Sequence, residues 1–496
     1  MKPWLILIIF SPIAYILVQR SVKNITKTPV WLCWLVMMLP AFIWTTWVYV
    51  FGQEQPIPLP VFLFPLIICP LLYGWLVQRG KPQATTKTET EKQENMAMAT
   101  PAEESSPLRP INLQEETTLR NCFPWDVYYL QNIDYRPQAI FCRGKLKTIP
   151  EKAYEEIKNN IEAAFGDRFF LIFQESFRGK PFFALVPNPQ ATKDDTQLES
   201  PSDTRWGLAL GLFLATLLTT TIAGVNLQGI SLEELNSNPD LLLTGLAYSL
   251  PLLLILGVHE FSHYLVAIYY KIRTTLPYFI PFPFLLNTFY LGTLGAFVQK
   301  RSPVPHRKAL FDIAIVGPVA GFLVTLPVLF WGLTLSSTVS LEDTNTASFD
   351  ALDPRISLLL SLLSKLALGE QFKAGMAIDF HPLAAAGCVG LLITAINLMP
   401  IGGLDGGNII HAVFGQRMAI AVGQITRILA ILFALIHPHF WIWAIIMWLI
   451  PLIDRPALND VTELNHWRDL GGLLSLALLV LIILPLPASI ANWLHI

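Results

Sequence analysis

Long apolar runs constrain the fold of this chain more than any other feature of its sequence. A helix needs about 20 apolar residues to cross the hydrocarbon core of a bilayer. With 53% hydrophobic and 14% charged residues over 496 positions, the composition is typical of a polytopic membrane protein. We therefore expect an all-α polytopic membrane protein of about ten spans. The predicted spans cover residues 3–18, 30–51, 58–77, 205–225, 241–270, 309–335, 382–399, 418–436, 440–453 and 471–493.

Basic residues between the runs predict the orientation of the chain. Arg20, Lys23 and Lys27 follow the first run, and an excess of Lys and Arg marks cytoplasmic loops. This places the N-terminus outside, and about ten spans would place the C-terminus outside as well. Lys271 and Arg273 follow the fifth run, so the end of that helix is expected near the cytoplasmic side.

A polar stretch separates the first three runs from the rest of the chain. Residues 81–117 are rich in Thr, Glu, Gln, Lys, Ala and Pro, which predicts a disordered linker. Strand patterns at 123–130, 138–146, 169–175 and 181–186 and a helical pattern at 150–165 then predict a small cytosolic α+β domain without a catalytic motif. The expected domain plan is three N-terminal transmembrane helices (1–80), the linker (81–117), the α+β domain (118–190), a membrane core (204–453) and a C-terminal loop and transmembrane helix (454–496).

Residues 276–299 fit neither a spanning helix nor an ordinary loop. The stretch is apolar, yet three prolines, Gly292 and Gly295 interrupt it. Non-helical backbone at membrane depth is tolerated only against protein or a water-filled cavity. We therefore expect a re-entrant segment here.

A metal-binding pattern lies near the end of the fifth run. Residues 259–263 read H-E-x-x-H, and two histidines four apart lie on one face of a helix, one turn from each other. His259 and His263 can thus hold one small cation, while Glu260 points about 100° away and can reach a water on that cation. Ionisable residues inside an apolar helix are costly, which favours a functional role over a hydrogen-bonded helix end.

Two histidines leave a catalytic zinc site short of a third protein ligand. The candidate is Asp405 in the string Leu404-Asp405-Gly406-Gly407, directly after the run at 382–399. Asp-Gly is also a common turn dipeptide, so a plain turn is the alternative. The topology favours the ligand, because the two helices bring both motifs to one level of the membrane.

The other candidate residues give weaker signals. The five cysteines are scattered without a C-x-x-C pair and are expected to be buried apolar residues. The net charge of −2 gives no reason to expect a nucleic-acid partner. Seven histidines lack ligand spacing with the motif and are expected at interfaces or helix caps: His306, His381, His411, His437, His439, His466 and His495.

Four motifs in one order give the chain a resemblance. The H-E-x-x-H helix, the G-T-L-G-A-F stretch at 292–297, the G-P-x-x-G string at 317–321 and the L-D-G string at Asp405 resemble the site-2 protease family of intramembrane zinc metalloproteases (peptidase M50). The chain is most similar to the chloroplast and cyanobacterial branch named for ethylene-dependent, gravitropism-deficient, yellow-green plants. That branch has a G-N-L-R signature, and the string here is Gly144-Lys145-Leu146-Lys147, which departs at two positions.

The resemblance implies a set of residue roles. His259, His263 and Asp405 would bind Zn²⁺, and Glu260 would be the catalytic general base and then acid. Asn397 matches the family's asparagine beside the site and would bind substrate, although an interhelical hydrogen bond is an alternative. Gly292 and Gly295 would belong to an edge that pairs with an unwound substrate. The activity implied is intramembrane proteolysis of membrane-protein substrates in a lipid bilayer. The small-residue string at 317–321 is expected to pack against a neighbouring helix and not to ligate metal.

Other functions remain as alternatives. A second class of membrane H-E-x-x-H enzyme, the prenyl-peptidase and heat-shock type, uses a glutamate as third ligand, and Asp405 fits that pattern less well. A metal-bound but inactive chaperone or binding protein is the alternative from a different class, and a transporter is a weaker one. Iron or cobalt fits the same ligands as zinc. Substrate, oligomeric state and the choice between a bacterial or cyanobacterial inner membrane and a thylakoid are not predicted.

Overall fold

The computed structural model describes most of the chain after residue 110. Described are residues 28–51, 111–136, 139–176, 179–188, 206–230, 232–282, 291–340, 354–374, 376–436, 441–452 and 457–494, with single positions between 11 and 19 and between 61 and 79. The chain forms two compact units, Met1–Glu104 and Ser105–Ile496. In the first unit, helix α1 (Val30–Phe51) is apolar all round, as a membrane helix should be. Most of the predicted spans at 3–18 and 58–77, and the linker up to residue 110, lie outside the described residues.

The second unit begins with the small α+β domain. Its elements are α2 (Leu113–Asn121), β1 (Tyr128–Arg136), β2 (Ala139–Leu146), α3 (Pro150–Phe165), β3 (Phe169–Glu175) and β4 (Pro181–Pro187). The four strands form one antiparallel sheet in the order β1-β2-β4-β3. Tyr154, Ile157 and Ile161 of α3 are buried, because their spacing puts them on one face of the helix.

Two predicted boundaries in this domain are wrong. The linker was expected to reach residue 117, but α2 begins at Leu113, where Asn112 and Glu115 form a capping box. The first strand was expected at 123–130 and lies at Tyr128–Arg136 instead. Phe123 and Val127 are buried in the turn before the strand, so their apolar character reflects core packing and not strand periodicity.

Gly144, in the string compared with G-N-L-R, has a clear structural requirement. A side chain at this position would run into the backbone oxygen of Tyr129 and lie 2.8 Å from Cε1 of Tyr128, beside the irregularity between Leu130 and Asn132 where β1 pairs with β2. Cys142 of β2 is fully buried, and burial raises the pKa of its thiol to about 12. All five cysteines are free and buried, as the sequence predicts.

The rest of the second unit is mostly helical. Its helices are α4 (Trp206–Leu227), α5 (Leu232–Ser237), α6 (Leu246–Tyr269), α7 (Arg307–Thr334), α8 (Leu358–Leu368), α9 (Pro382–Leu398), α10 (Asp405–Phe414), α11 (Gln416–Ile436), α12 (Trp441–Leu449), α13 (His466–Ile483) and α14 (Ala488–Leu494). Two small antiparallel sheets pair β5 (Tyr278–Pro281) with β6 (Thr293–Phe297), and β7 (Ser337–Ser340) with β8 (Met376–Asp379).

Six helices among the described residues are long and apolar enough to cross a membrane, which makes the chain a multi-pass membrane protein. They are Val30–Trp47, Trp206–Leu227, Pro239–Tyr269, Arg307–Thr334, Gln416–Leu435 and His466–Ile483. The apolar helix α9 is shorter than these. The run predicted at 471–493 is divided, because Pro485 and Pro487 cannot continue α13 and the chain turns before α14.

Small residues let the central helices α6, α7 and α9 approach closely. A side chain on Gly387 of α9 would lie 2.6 Å from the Cα of Leu329 in α7, and one on Gly332 of α7 would overlap the backbone of Ala384. Lipid tails are as apolar as leucine, so close van der Waals packing of this kind holds helices together inside a bilayer.

A polar network fixes the end of α6 that carries the H-E-x-x-H motif. Arg468 of α13 forms a two-pronged pair with Asp312 of α7, with both N···O distances at 2.7 Å. The hydroxyl of Tyr270, the residue that caps α6, donates to the same carboxylate at 2.5 Å. Three helices are thus joined at one level of the bundle.

Candidate metal centre

Helix α6 places the H-E-x-x-H residues in the interior of the bundle. His259 and Glu260 are 3% and 7% exposed, although both are polar. The helix remains regular across the motif, so His259 and His263 lie one turn apart and their rings meet edge to face at 4.9 Å. Buried ionisable side chains in a membrane helix need a partner or a function.

The turn between α9 and α10 brings Asp405 to the same place. Side chains on Gly406 and Gly407 would overlap the backbone oxygens of Leu398 and Ile401, so the tight turn requires glycine at both positions. Gly403 has a φ of 92°, in the left-handed region that favours glycine. Asp405 is the first residue of α10, where the helix dipole stabilises a carboxylate.

Three donor atoms converge. The Nε2 atom of His263 lies 3.2 Å from Nε2 of His259 and 3.2 Å from Oδ2 of Asp405, and the third side of the triangle is 3.5 Å. Zinc with ligands at about 2.0–2.1 Å in tetrahedral geometry separates neighbouring donors by about 3.3–3.4 Å. Two imidazoles and one carboxylate in this arrangement fit a zinc ion and leave a fourth position for water.

Helix α7 supports the two histidines from behind. Nδ1 of His263 lies 2.6 Å from the carbonyl oxygen of Ile313, which only accepts, so Nδ1 carries the proton and the Nε2 lone pair is free for a metal. A side chain on Gly317 would overlap the imidazole of His263, and one on Gly321 would lie 3.1 Å from Nδ1 of His259. The string at 317–321 therefore packs against the two histidines, as predicted.

Two further predicted residues border the donor triangle. Nδ2 of Asn397, near the end of α9, lies 3.3 Å from Nε2 of His259. The carboxylate of Glu260 lies near the backbone of Val298, directly after strand β6. The structure thus brings His259, Glu260, His263, Asn397 and Asp405 together, while their individual roles remain predictions.

The two glycines predicted to bind substrate lie in the β5–β6 hairpin and differ in their surroundings. Gly292 packs against α4, where the Thr219 hydroxyl donates to its carbonyl oxygen at 2.7 Å and a side chain would lie 2.6 Å from Cα of Thr220. Gly295, with a φ of 103°, has open space where a side chain would be. Gly292 anchors the hairpin to a membrane helix, and Gly295 lies on its accessible part.

Three histidines outside the motif have identifiable roles, and two of them match the prediction. His306 and His381 cap α7 and α9 by accepting hydrogen bonds from the backbone of Ala309 and Leu383. His411 differs, because it is buried in α10 and paired with Asp460. Its position six residues after Asp405 is the one sequence signal that it belongs near the site, and its partner lies 49 residues away.

The comparison with protein families agrees with this geometry. The sequence profile of peptidase family M50 matches residues 247–436, a range that contains all three donors and Glu260. This part of the chain is similar to peptidase family M50. The resemblance drawn from the four motifs is confirmed.

Individual proteins similar to this chain come from plants. It is 29% identical over 376 residues to "Probable zinc metalloprotease EGY2, chloroplastic" of Oryza sativa subsp. indica, covering 74% of the chain and 65% of that protein. It is 29% identical over 369 residues to the protein of the same name in Arabidopsis thaliana, covering 74% of the chain and 63% of that protein. It is 33% identical over 239 residues to "Probable zinc metalloprotease EGY1, chloroplastic" of Arabidopsis thaliana, covering 48% and 42%.

These relatives support the predicted branch within the family. The chain spans less than two thirds of the length of each of these three curated relatives, at 65%, 63% and 42%. No solved structure matches the chain significantly.

Proposed function

We propose that this chain is an intramembrane zinc endopeptidase that hydrolyses peptide bonds in or near the transmembrane segments of membrane proteins. The observation that carries the proposal is the convergence of His259, His263 and Asp405 inside a bundle of apolar helices, with Glu260 beside them. Three ligands from two separate helices, plus a carboxylate that is not a ligand, make up the set that metal-assisted peptide hydrolysis requires. The relatives named as zinc metalloproteases support the same chemistry.

Each residue has a defined task in the proposed reaction. His259 and His263 would hold a zinc ion through Nε2, and Asp405 would hold it through Oδ2. Such an ion would supply Lewis-acid chemistry, polarising water and the scissile carbonyl. Glu260 would take a proton from the attacking water and give it to the nitrogen of the leaving amine, so that water is added as the C–N bond breaks. Asn397, whose Nδ2 lies 3.3 Å from Nε2 of His259, would donate a hydrogen bond that orients the substrate backbone.

Strand β6 is the proposed docking edge for the substrate. A helical substrate hides its carbonyl groups in its own hydrogen bonds, so it must unwind before attack. An extended peptide that pairs with a sheet edge presents those groups again. Leu294 and Phe297 of β6 are 64% and 46% exposed, and Glu260 lies next to the end of the strand. The edge is therefore suited to an apolar segment close to the general base.

The finer topology is part of the proposal. The apolar runs of the sequence support about ten spans. The basic loops after the first and fifth runs support an N-terminus outside and a site facing the cytoplasm. The contact of Gly292 with Thr219 and Thr220, within the candidate span Trp206–Leu227, supports a re-entrant β5–β6 hairpin at membrane depth. The relatives are named as chloroplastic, which supports a thylakoid membrane, and an inner membrane of a bacterium or cyanobacterium is the alternative.

Cleavage of a model substrate tests the chemistry. The purified full chain is incubated in detergent with single-span membrane proteins of varied sequence, and fragments are identified by mass spectrometry. We expect cleavage by the wild type and a loss of about 10²–10⁴-fold in Glu260→Gln, which keeps its zinc because Glu260 is not a ligand. Asp379→Ala, an exposed aspartate on β8, is the matched control and should cleave normally.

The outcomes separate the proposal from its alternative. Wild-type rates in Glu260→Gln would contradict the assigned general base. Zinc-loaded wild type that cleaves none of the substrates, but retains them on an affinity column, would favour the inactive chaperone or binding protein instead.

A further inference from the structure

The segment at residues 457–462 lies between the α+β domain and the helices of the metal centre. On one side its backbone pairs in parallel with the edge strand β3: Leu458 accepts from the N–H of Phe173 at 2.7 Å, and Asp460 donates to the oxygen of Phe173 at 2.9 Å. On the other side Leu458 donates to the oxygen of Val304 at 2.9 Å, and Asn459 accepts from the N–H of Arg307 at 3.2 Å. We call residues 457–462 the bridge segment.

Side chains fix the bridge segment to the α+β domain. Leu458 and Val461 pack into the same hydrophobic core as Phe173 and Phe183 of the sheet. Asn459 is 4% exposed and closes the bend of the segment, because its Nδ2 donates to Oγ1 of Thr462 at 2.8 Å. The domain plan predicted from the sequence assigns the bridge segment to the C-terminal region that begins at residue 454. In three dimensions the bridge segment instead packs as part of the α+β domain.

One side chain of the bridge segment points the other way, into helix α10. Asp460 accepts from Nε2 of His411 at 3.0 and 3.1 Å, and the two side chains are 8% and 3% exposed. The guanidinium group of Arg307, at the start of α7, donates to the oxygens of Ala412 and Val413 at the end of the same helix. The C-terminal half of α10 is thus bound by Asp460 of the bridge segment and by Arg307, whose backbone N–H donates to the bridge segment.

The other end of α10 carries a metal-centre residue. The helix has only ten residues and starts with Asp405, so a tilt of its axis would shift both of its ends. His411 lies about 9 Å along the axis from Asp405, at about 1.5 Å per residue. A tilt at His411 therefore displaces the carboxylate, and a metal ligand tolerates only about 0.5 Å of misplacement.

We propose that His411 and Asp460 are positioning residues for Asp405, and that through the bridge segment they couple the metal centre to the α+β domain. The proposal rests on the proposed function, because it takes Asp405 as a metal ligand. Neither residue touches the donor triangle, so both act through the orientation of α10. The α+β domain, which has no catalytic motif, thereby acquires a role as the support of a metal ligand.

Metal affinity and ligand geometry test the positioning. Zinc affinity is measured by chelator competition on the full chain in detergent, and the visible spectrum of the Co²⁺-substituted protein reports coordination geometry. We expect His411→Ala and Asp460→Ala each to weaken zinc binding about tenfold and to change the Co²⁺ spectrum. The double variant should lose little more than either single variant, because the two residues act as one unit. His411→Gln restores an N–H donor and should recover most of the affinity.

Controls separate positioning from a general loss of structure. His466→Ala removes an exposed histidine at the start of α13 and should bind zinc as the wild type does. Unchanged affinity and an unchanged Co²⁺ spectrum in folded His411→Ala would overturn the positioning. A wild type that binds no zinc would instead refute the proposed function, so the two failures are distinguishable.

A variant in the α+β core tests the coupling. Val461→Asp places a charge in that core and should detach the bridge segment, so we expect the same weakening of zinc binding with His411 and Asp460 intact. Glu463→Ala, an exposed position two residues later, is its control. Wild-type zinc affinity in Val461→Asp would overturn the coupling to the α+β domain.

Discussion

The α+β domain and the membrane core are packed by opposite means. The domain fills its interior with large rings: Phe173 and Phe183 stack with centroids 4.1 Å apart, and both are fully buried. Around the metal centre the contacts are made by glycines, among them Gly317 and Gly321 against the two histidines. Burial from water drives the first kind of packing, whereas helices in lipid gain from close approach. The domain should therefore be sensitive to lost volume and the membrane core to added volume.

The largest effect on zinc binding is expected from one added methyl group in the membrane core. Gly317→Ala places a Cβ where the imidazole of His263 lies, so the ring must move and zinc affinity should fall about 100-fold or more. Gly257→Ala is the matched control, because a side chain there meets no atom within 4 Å. Zinc affinity measured by chelator competition checks both variants. Wild-type zinc affinity in Gly317→Ala would contradict the expected sensitivity of the membrane core to added volume.

The opposite change should damage the α+β domain. Phe173→Ala leaves a cavity in a fully buried site, and the free energy of opening the sheet should fall by about 3–5 kcal/mol. Amide hydrogen exchange of the sheet peptides in the full chain measures this free energy. Trp125→Ala removes a ring that is 79% exposed and should change it by no more than about 0.5 kcal/mol. Equal effects of the two variants would mean that the ring stack does not hold the domain together.

A smaller loss of zinc affinity is expected at Gly321, where an added side chain lies farther from an imidazole than at Gly317. A Cβ here lies 3.1 Å from Nδ1 of His259, which is tight but does not overlap the ring. We expect Gly321→Ala to weaken zinc binding only about tenfold. A loss as large as that of Gly317→Ala would show that the separation from the imidazole does not set the effect.

The smallest effect concerns charge and pH in the α+β domain. Burial by itself raises the pKa of Glu115, but hydrogen bonds from the backbone of Asn112 and from Arg168 outweigh it and hold the pKa below its usual value. Because the folded-state pKa is lowered, this stabilisation is complete above about pH 4.3 and is lost as the pH falls through the folded-state value. The pair is partly exposed, so we expect at most about 1 kcal/mol.

The variant Glu115→Gln checks this pH dependence. Glutamine keeps an acceptor for the capping box but does not titrate, so exchange rates of α2 peptides should depend less on pH below about pH 4.3 than in the wild type. An identical pH dependence in the two proteins would exclude Glu115 as its source.

Most residues of the metal centre are predictable from the sequence, but the residues that hold them in position are less so. His259, His263 and Asp405 are predictable because helical spacing and apolar flanks place them at one depth. The function of Gly317 is visible only as small-residue packing, since the sequence does not show which ring it faces. The pair of His411 and Asp460 is not predictable, because a contact across 49 residues depends on how the bridge segment crosses the bundle.

Local patterns also fail where tertiary contacts decide the structure. Phe123 and Val127 have the alternation of a strand but are buried in a turn. The chain around Pro485 and Pro487 has the apolar composition of a continuous span, and the prolines decide against it. Hydrophobicity correctly predicts the burial of Phe123 and Val127, but at neither place does it give the backbone conformation.

Bound zinc per chain, measured by elemental analysis of the wild type and of Asp405→Ala, tests the central claim most directly. We expect about one zinc ion per chain in the wild type, and lost or sharply weakened zinc binding in the variant, because Asp405 is one of the three proposed protein ligands. Asp379→Ala should keep its zinc. Zinc binding unchanged in Asp405→Ala would mean that the third ligand lies elsewhere and would contradict the metal centre described here.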